Sequence, residues 1–235
     1  MPIRLISLLC GGAVALSAGT AVAAGPYDVS IRVEGKARTL VKERTVTIAD
    51  APIIKDGDPN HACNGLTALG ALHAGTEGNW SGPWFEGLGY SAETIMGSKP
   101  KAPGYYELWV DHKLSSVGLC DAALKDGQDV LMFVQDCEYD PALEGCKDPV
   151  TPLGVRVAKT IKRNTVRTIK VVDYSAAGKA TPEAKATVYV NGAKLGRTKA
   201  DGTIKVKGSK TGVATVYAKK AGHARSETDR VRIVK

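Results

Sequence analysis

YYELWVDHKLSSVGLCDAALKDGQDVLMFV, residues 105–134, is the stretch from which the fold is read. Tyr106, Leu108 and Val110 fall on one side of an extended chain, and Tyr105, Glu107 and Trp109 on the other. That period of two is the signature of a half-buried strand. Asp111-His112 predicts a two-residue turn into Lys113-Leu114, although the glycine usual at its second position is missing. Asp126-Gly127 is a second turn signal. Val130 to Val134 is then apolar without alternation, as in a central strand covered on both faces. Nothing in the stretch is catalytic by residue type.

On the N-terminal side, Val29, Ile31 and Val33 alternate with Ser30, Arg32 and Glu34, and Arg44 to Ile48 reads as the return strand of a hairpin. Asn64 is positioned to cap a short helix on which Leu66, Leu69, Leu72 and His73 form one apolar stripe, ended by Gly75. Residues 79–89 form a glycine-rich loop holding Trp80, Trp84 and Phe85. Glycine allows close backbone approach and aromatic rings offer flat stacking surface. The loop is read first as a lid on the core. Its ligand-binding alternative takes Trp80 and Trp84 together with Tyr105 and Trp109. Tyr90 to Met96 is a possible further strand. Hairpin, helix, then more strands predicts a β-grasp (α+β) unit.

These motifs also carry a resemblance. Trp80, Tyr105-Tyr106-x-x-Trp109-Val110, Gly118-x-Cys120 and Asp126-Gly127-x-x-Val130-Leu131 resemble a bacterial domain of unknown function. That domain is similar to the C-terminal β-grasp domain of transcobalamin and intrinsic factor. The match covers about residues 27–139. It implies a small ring-type ligand, cobalamin-like or similar, at the β-grasp unit. In the vitamin carriers a large helical barrel supplies half of the corrin site, and this sequence holds no counterpart of it.

Val150 to Gly154, punctuated by Pro152 and Gly154, reads as the boundary to a second unit. Short strands follow at about ten-residue spacing, with Asn191-Gly192 and Asp201-Gly202 as turns. This is the pattern of a β-sandwich. The run ATVYVNGAKLGRTKADGTIKV resembles bacterial immunoglobulin-like and carboxypeptidase-regulatory-like modules over about residues 155–234. The expected organisation is therefore mainly β: a signal peptide over 1–24, a β-grasp domain over 25–149 and an immunoglobulin-like β-sandwich over 150–235.

Composition divides at the same boundary. All three Trp and both Phe lie between Trp80 and Phe133. Residues 25–149 hold 8 Lys and 3 Arg against 11 Asp and 8 Glu, a net −8; residues 150–235 hold 13 Lys and 7 Arg against 3 Asp and 2 Glu, a net +15. A basic half attracts polyanions. Lys205, Lys207, Lys219, Lys220, Arg230 and Arg232 alternate with apolar positions, so outward faces are expected for many of them. They are the predicted contacts for an anionic surface polymer. Base stacking, and with it nucleic acid, is not expected from the aromatic content of this half.

Arg4, the apolar run from Leu5 to Leu16 and Ala21-Val22-Ala23 read as a secretory signal with its cleavage site; Cys10 would leave with it. No later run is long enough for a membrane helix. Cys63, Cys120, Cys137 and Cys146 then form an even set in an exported chain, which implies disulfides with three possible pairings. Cys63–Cys120 with Cys137–Cys146 is favoured. On loop entropy they contribute roughly 4 and about 3 kcal/mol.

Asp56, Asp58 and Asn60 open like a calcium loop, but His61 and Thr67 stand where its glycine and glutamate belong. Asp136, Glu138, Asp140, Glu144 and Asp148 read as a solvated acidic segment. No cofactor and no metal are expected. No nucleophile–base pattern is visible, so an enzyme is not expected either. What remains is a secreted binding or interaction protein, with a small-ligand carrier as the alternative.

Overall fold

The computed structural model describes residues 25–137, 139–140, 142 and 145–235. The expected signal peptide, with Cys10, lies outside the described residues, as do Glu138 and Glu144 of the acidic segment. The chain is mainly β. Its first half is built on β1 (Tyr27–Glu34), β2 (Thr39–Ile48), α1 (Ala68–Gly75), β3 (Tyr105–Val110), β4 (Lys113–Leu114) and β5 (Asp129–Gln135). The sheet order is β4-β3-β5-β1-β2. β5 lies between β3 and β1 and runs parallel to β1, from Ser30↔Asp129 to Glu34↔Phe133.

That central position explains why Val130 to Val134 does not alternate. Val130 and Met132 face the α1 side, where they join Val29, Ile31, Leu69, Leu72, Tyr106 and Leu108. Leu131 and Phe133 face the other side, with Trp109. Residues 90–96, by contrast, supply only Gly89–Tyr90 and Thr94–Ile95, each in a two-residue pairing.

The Asp111–His112 turn forms with both residues at positive φ, 49° and 62°, and no glycine. The His112 ring stacks on Tyr174 at 4.2 Å between centroids. The contact comes from the second half, so the strain of the turn is offset by packing that a local reading does not contain.

The helix departs from the sequence reading. Asn64 does not cap it: its Oδ1 accepts the N–H of Leu66, and Thr67 takes the N-cap position without a side-chain bond. The N–H groups of Ala68 and Leu69 donate instead to the carbonyls of Ala122 and Leu119. Orphan donors at a helix start need such partners. The supplying loop carries Cys120, and Cys63–Cys120 fastens it there. The helix is buried almost all round, so its apolar surface is wider than one stripe. A Cβ at Gly70 would run into the Gly65 carbonyl. Cys137–Cys146 is also present, so both favoured pairings are found.

The second half comprises β6 (Thr151–Arg156), β7 (Thr160–Lys162), β8 (Val166–Tyr174), β9 (Ala180–Pro182), β10 (Thr187–Val190), β11 (Ala193–Arg197), β12 (Thr203–Lys207), β13 (Gly212–Lys219), β14 (His223–Ala224) and β15 (Asp229–Val234). One sheet runs β9-β8-β6-β14, with β12 also on β8; the other runs β7-β15-β13-β10-β11. Leu153, Val155, Ile169, Val171, Val188, Val216, Ala218 and Val231 fill the space between them, a sandwich core. The Asn191-Gly192 turn joins β10 to β11 as its sequence predicts.

The expected boundary at Val150 to Gly154 is not an open linker. Thr151 already starts β6, and residues 152–155 are buried. Gln135, itself buried, clasps Val150 through both its amide atoms: Oε1 accepts the Val150 N–H at 2.7 Å and Nε2 donates to its carbonyl at 3.2 Å. Above this junction Trp109, Leu131 and Phe133 pack against Val172, Tyr174 and Ala224 in one apolar cluster. The two halves therefore share a buried seam. Each half also keeps a core of its own on either side of that seam.

Candidate functional site

Beside the seam, β1 and β2 on one side and β13 with residues 225–230 on the other wall a cleft of about 740 Å³. Its origin is the alternation of β1. Val29, Ile31 and Val33 enter the core, so Ser30, Arg32 and Glu34 line the reverse face. The cleft carries six cationic side chains, Arg32, Lys42, Arg44, Lys219, Arg225 and Arg230, against the carboxylates of Glu34 and Glu43.

Its floor is a buried ion network. Glu34 Oε2 accepts Arg225 Nε at 2.8 Å and Nη2 at 2.6 Å; Oε1 accepts Arg32 Nη1 at 3.1 Å. Arg32 also donates to the Arg225 carbonyl at 2.6 Å, and the Thr39 hydroxyl donates to Glu34 Oε2 at 3.0 Å. One carboxylate thus holds two guanidinium groups, one from each half. Arg44 is committed elsewhere: it donates to the Gly75 and Ala74 carbonyls at the end of α1, where a cation meets the negative end of the helix. Burial pushes the Glu43 carboxyl above its ordinary range, against the pull of Arg32; Asp129 and Glu227 push it the same way.

Positive charge continues out of the cleft along β10, β13 and β15. Val188, Val216, Ala218 and Val231 point into the sandwich, so Tyr189, Tyr217, Lys219, Arg230 and Arg232 take the outer face. The rings of Tyr189 and Tyr217 stack at 4.9 Å with 5° between planes, and Lys219 Nζ lies 5.3 Å and 5.5 Å from their centroids. Lys194 and Arg197 pair with Tyr189 and Thr187 in the neighbouring strand.

Of the six predicted polyanion contacts, Lys219 and Arg230 line the cleft, and Arg232 continues its outer face. Lys205 and Lys207 lie on β12, on the outside of the other sheet. Lys220 is not a free contact, because its Nζ pairs with Glu183. The six positions thus fall on two faces, with Lys220 in an ion pair. The sequence reading missed the tyrosine pair, although their positions directly beside buried Val188, Val216 and Ala218 mark them as outward. It also missed the Glu34–Arg225 tie, for which sequence holds no signal.

The predicted ring-ligand set also divides. Trp80 is 3% exposed and Trp109 2%. Trp80 packs edge-on to Tyr90 on the α1 side of the sheet, and Trp109 lies in the seam on the opposite side. They cannot line a common site. Trp84 is half-buried and stacks on His61 at 4.5 Å. Only Tyr105, 47% exposed, lines an open groove. That groove, of about 510 Å³, is apolar, with Phe85, Leu88, Leu114 and Val117 exposed along it.

No family model matches the chain, and no curated protein matches it. Among solved structures, the CARDB domain of a Pyrococcus furiosus protein in complex with di-metal ions aligns with 14% identity and a TM-score of 0.27, covering 36% of this chain and 92% of that one. A structure described as a putative metal binding protein from Ruminococcus gnavus aligns with 11% identity and a TM-score of 0.32, covering 46% and 96%. Neither is close enough to transfer a property to this chain.

Proposed function

We propose that this is an exported, non-enzymatic interaction protein that binds an anionic surface polymer in the cleft between its two halves and along the outer face of β13 and β15. One observation carries this reading: beyond the arginines held by Glu34 and by the end of α1, Lys42, Lys219 and Arg230 line a single open cleft, continued by Arg232, Lys194 and Arg197 on the sheet beside it. Stacked tyrosines under Lys219 give that face flat surface as well as charge. Two disulfides suit an oxidising compartment. No helix among the described residues is long and apolar enough to cross a membrane. The order β4-β3-β5-β1-β2, with the last strand parallel to the first, supports a β-grasp reading of the first half, and the paired sheets support an immunoglobulin-like reading of the second.

The test is binding of residues 25–235 to inorganic polyphosphate across a salt series. Binding is expected at low salt, falling linearly on a log–log plot; Lys219→Ala and Arg230→Ala should each flatten that slope by about one unit. Lys205→Ala, on the other sheet, should change it little. Binding that is absent at low salt or independent of salt would end this reading.

The groove at Tyr105 favours a second reading, a carrier of a small ring-type ligand. Its apolar wall is exposed among the described residues, and such patches mark binding sites. Titration with corrinoids and other planar ring compounds should then quench intrinsic fluorescence, and Tyr105→Ala with Phe85→Ala should weaken the response. A flat response across the panel removes this alternative.

A further inference from the structure

We infer that Asp173, Glu183 and His223 form a binding site for one divalent transition-metal ion of the zinc class. The three lie on separate elements: Asp173 near the end of β8, Glu183 just after β9, and His223 at the start of β14. Their places are fixed by strand pairing, Thr151↔His223 and Val172↔Pro182. One donor atom from each lies within 4.8 Å of the other two.

The spacing is that of ligands rather than of a bonded triad. His223 Nε2 lies 3.7 Å from Asp173 Oδ1 and 3.8 Å from Glu183 Oε2. Both distances exceed a hydrogen bond. An ion about 2.1 Å from each donor holds tetrahedral ligands roughly 3.4 Å apart; the two histidine–carboxylate distances are within a few tenths of an ångström of that, and the carboxylate donors close from a separation of at most 4.8 Å.

The surroundings orient each donor. His223 Nδ1 lies 3.0 Å from the Ala221 carbonyl. A proton on Nδ1 donates to that oxygen and leaves the Nε2 lone pair facing the two carboxylates, the arrangement that supports metal-bound imidazoles. The Thr151 hydroxyl donates to Asp173 Oδ1 at 2.5 Å. Lys220 holds Glu183 Oε1 and leaves Oε2 toward the histidine. His223 also lines a cavity of about 390 Å³.

One imidazole and two carboxylates suit zinc and its first-row neighbours, with water completing the coordination. Calcium takes six to eight oxygens and is disfavoured here. This site stands apart from the anion-binding reading and survives its failure.

The experiment titrates tag-free residues 25–235 with Zn²⁺ against a chromophoric chelator. One equivalent should bind, and His223→Gln or Asp173→Asn should each weaken it by about tenfold or more. His61→Ala, which removes the ring beside Asp56, should leave it intact. Zn²⁺ should also raise the Tm of the parent protein and not that of Asp173→Asn, a readout that keeps the test open if His223→Gln does not fold. Absence of saturable binding, retention of binding in both ligand variants, or its loss in His61→Ala would overturn the assignment.

Discussion

Glu34→Ala is expected to destabilise the protein by about 3–5 kcal/mol, the usual cost of removing one partner from a buried charge network. The Glu34 side chain is 4% exposed, and it is the carboxylate that Arg32 and Arg225 share. Without it two guanidinium groups remain close together in a poorly solvated site, with the Arg225 carbonyl as the acceptor left to Arg32. Both side chains are poorly solvated where they stand: Arg32 is 8% exposed and Arg225 17%. For a chain of this length the loss corresponds to a fall in Tm of roughly 10 °C. Glu34→Gln should cost less, because an amide oxygen still accepts from one arginine. Replacing all three residues with apolar side chains of similar volume should recover much of the loss, since the network itself is not what makes the fold favourable. Urea unfolding of the three variants checks this. A Glu34→Ala free energy of unfolding within 1 kcal/mol of the parent's would show that the arginines find other partners.

What the sequence could reveal follows from the range of each interaction. β1, β3 and β10 with its turn were legible because alternation and turn chemistry are written in neighbouring residues. The non-alternating run at Val130 to Val134 announced a strand covered on both faces, but not that the second cover is Val172 and Tyr174, some forty residues later in the chain. The helix start was misassigned because Asn64 has the chemistry of a cap, whereas the donors of Ala68 and Leu69 are satisfied by the loop around Cys120.

The candidate sites show the same division. Outward lysines and arginines could be found strand by strand, yet which of them share a face depends on sheet order. Trp80 and Trp109 looked like partners because both are large aromatics; the parity of β3 sends Trp109 to the far side. Asp173, Glu183 and His223 stand ten and forty residues apart, without the short spacing by which metal ligands are recognised. The boundary reading at Pro152 rested on composition, and composition does not register a buried clasp such as Gln135 on Val150.

Trp109→Ala tests that seam directly and should cost about 3–5 kcal/mol, as large-to-small changes of buried aromatics do. Trp109 packs against Phe133 at 6.0 Å between centroids and belongs to the cluster shared with Val172, Tyr174 and Ala224. Its indole Nε1 donates to Glu107 Oε2 at 2.7 Å, and Gln135 Nε2 reaches the same oxygen at 3.3 Å. The truncation therefore opens a cavity, weakens a carboxylate's hydrogen bonding and loosens the residue that holds Val150. Each half keeps its own core, the helix-side cluster and the sandwich interior, so the loss should fall on their coupling. The parent protein is expected to melt in one calorimetric transition. Trp109→Ala should separate it into two, with tryptophan fluorescence from Trp80 and Trp84 following one and leaving the other unreported. Trp109→Phe, which retains much of the ring, should shift the single transition downward without dividing it. Two resolved transitions in the parent would mean that the seam transmits no cooperativity, and the halves would then be the independent units that their opposite charges suggest.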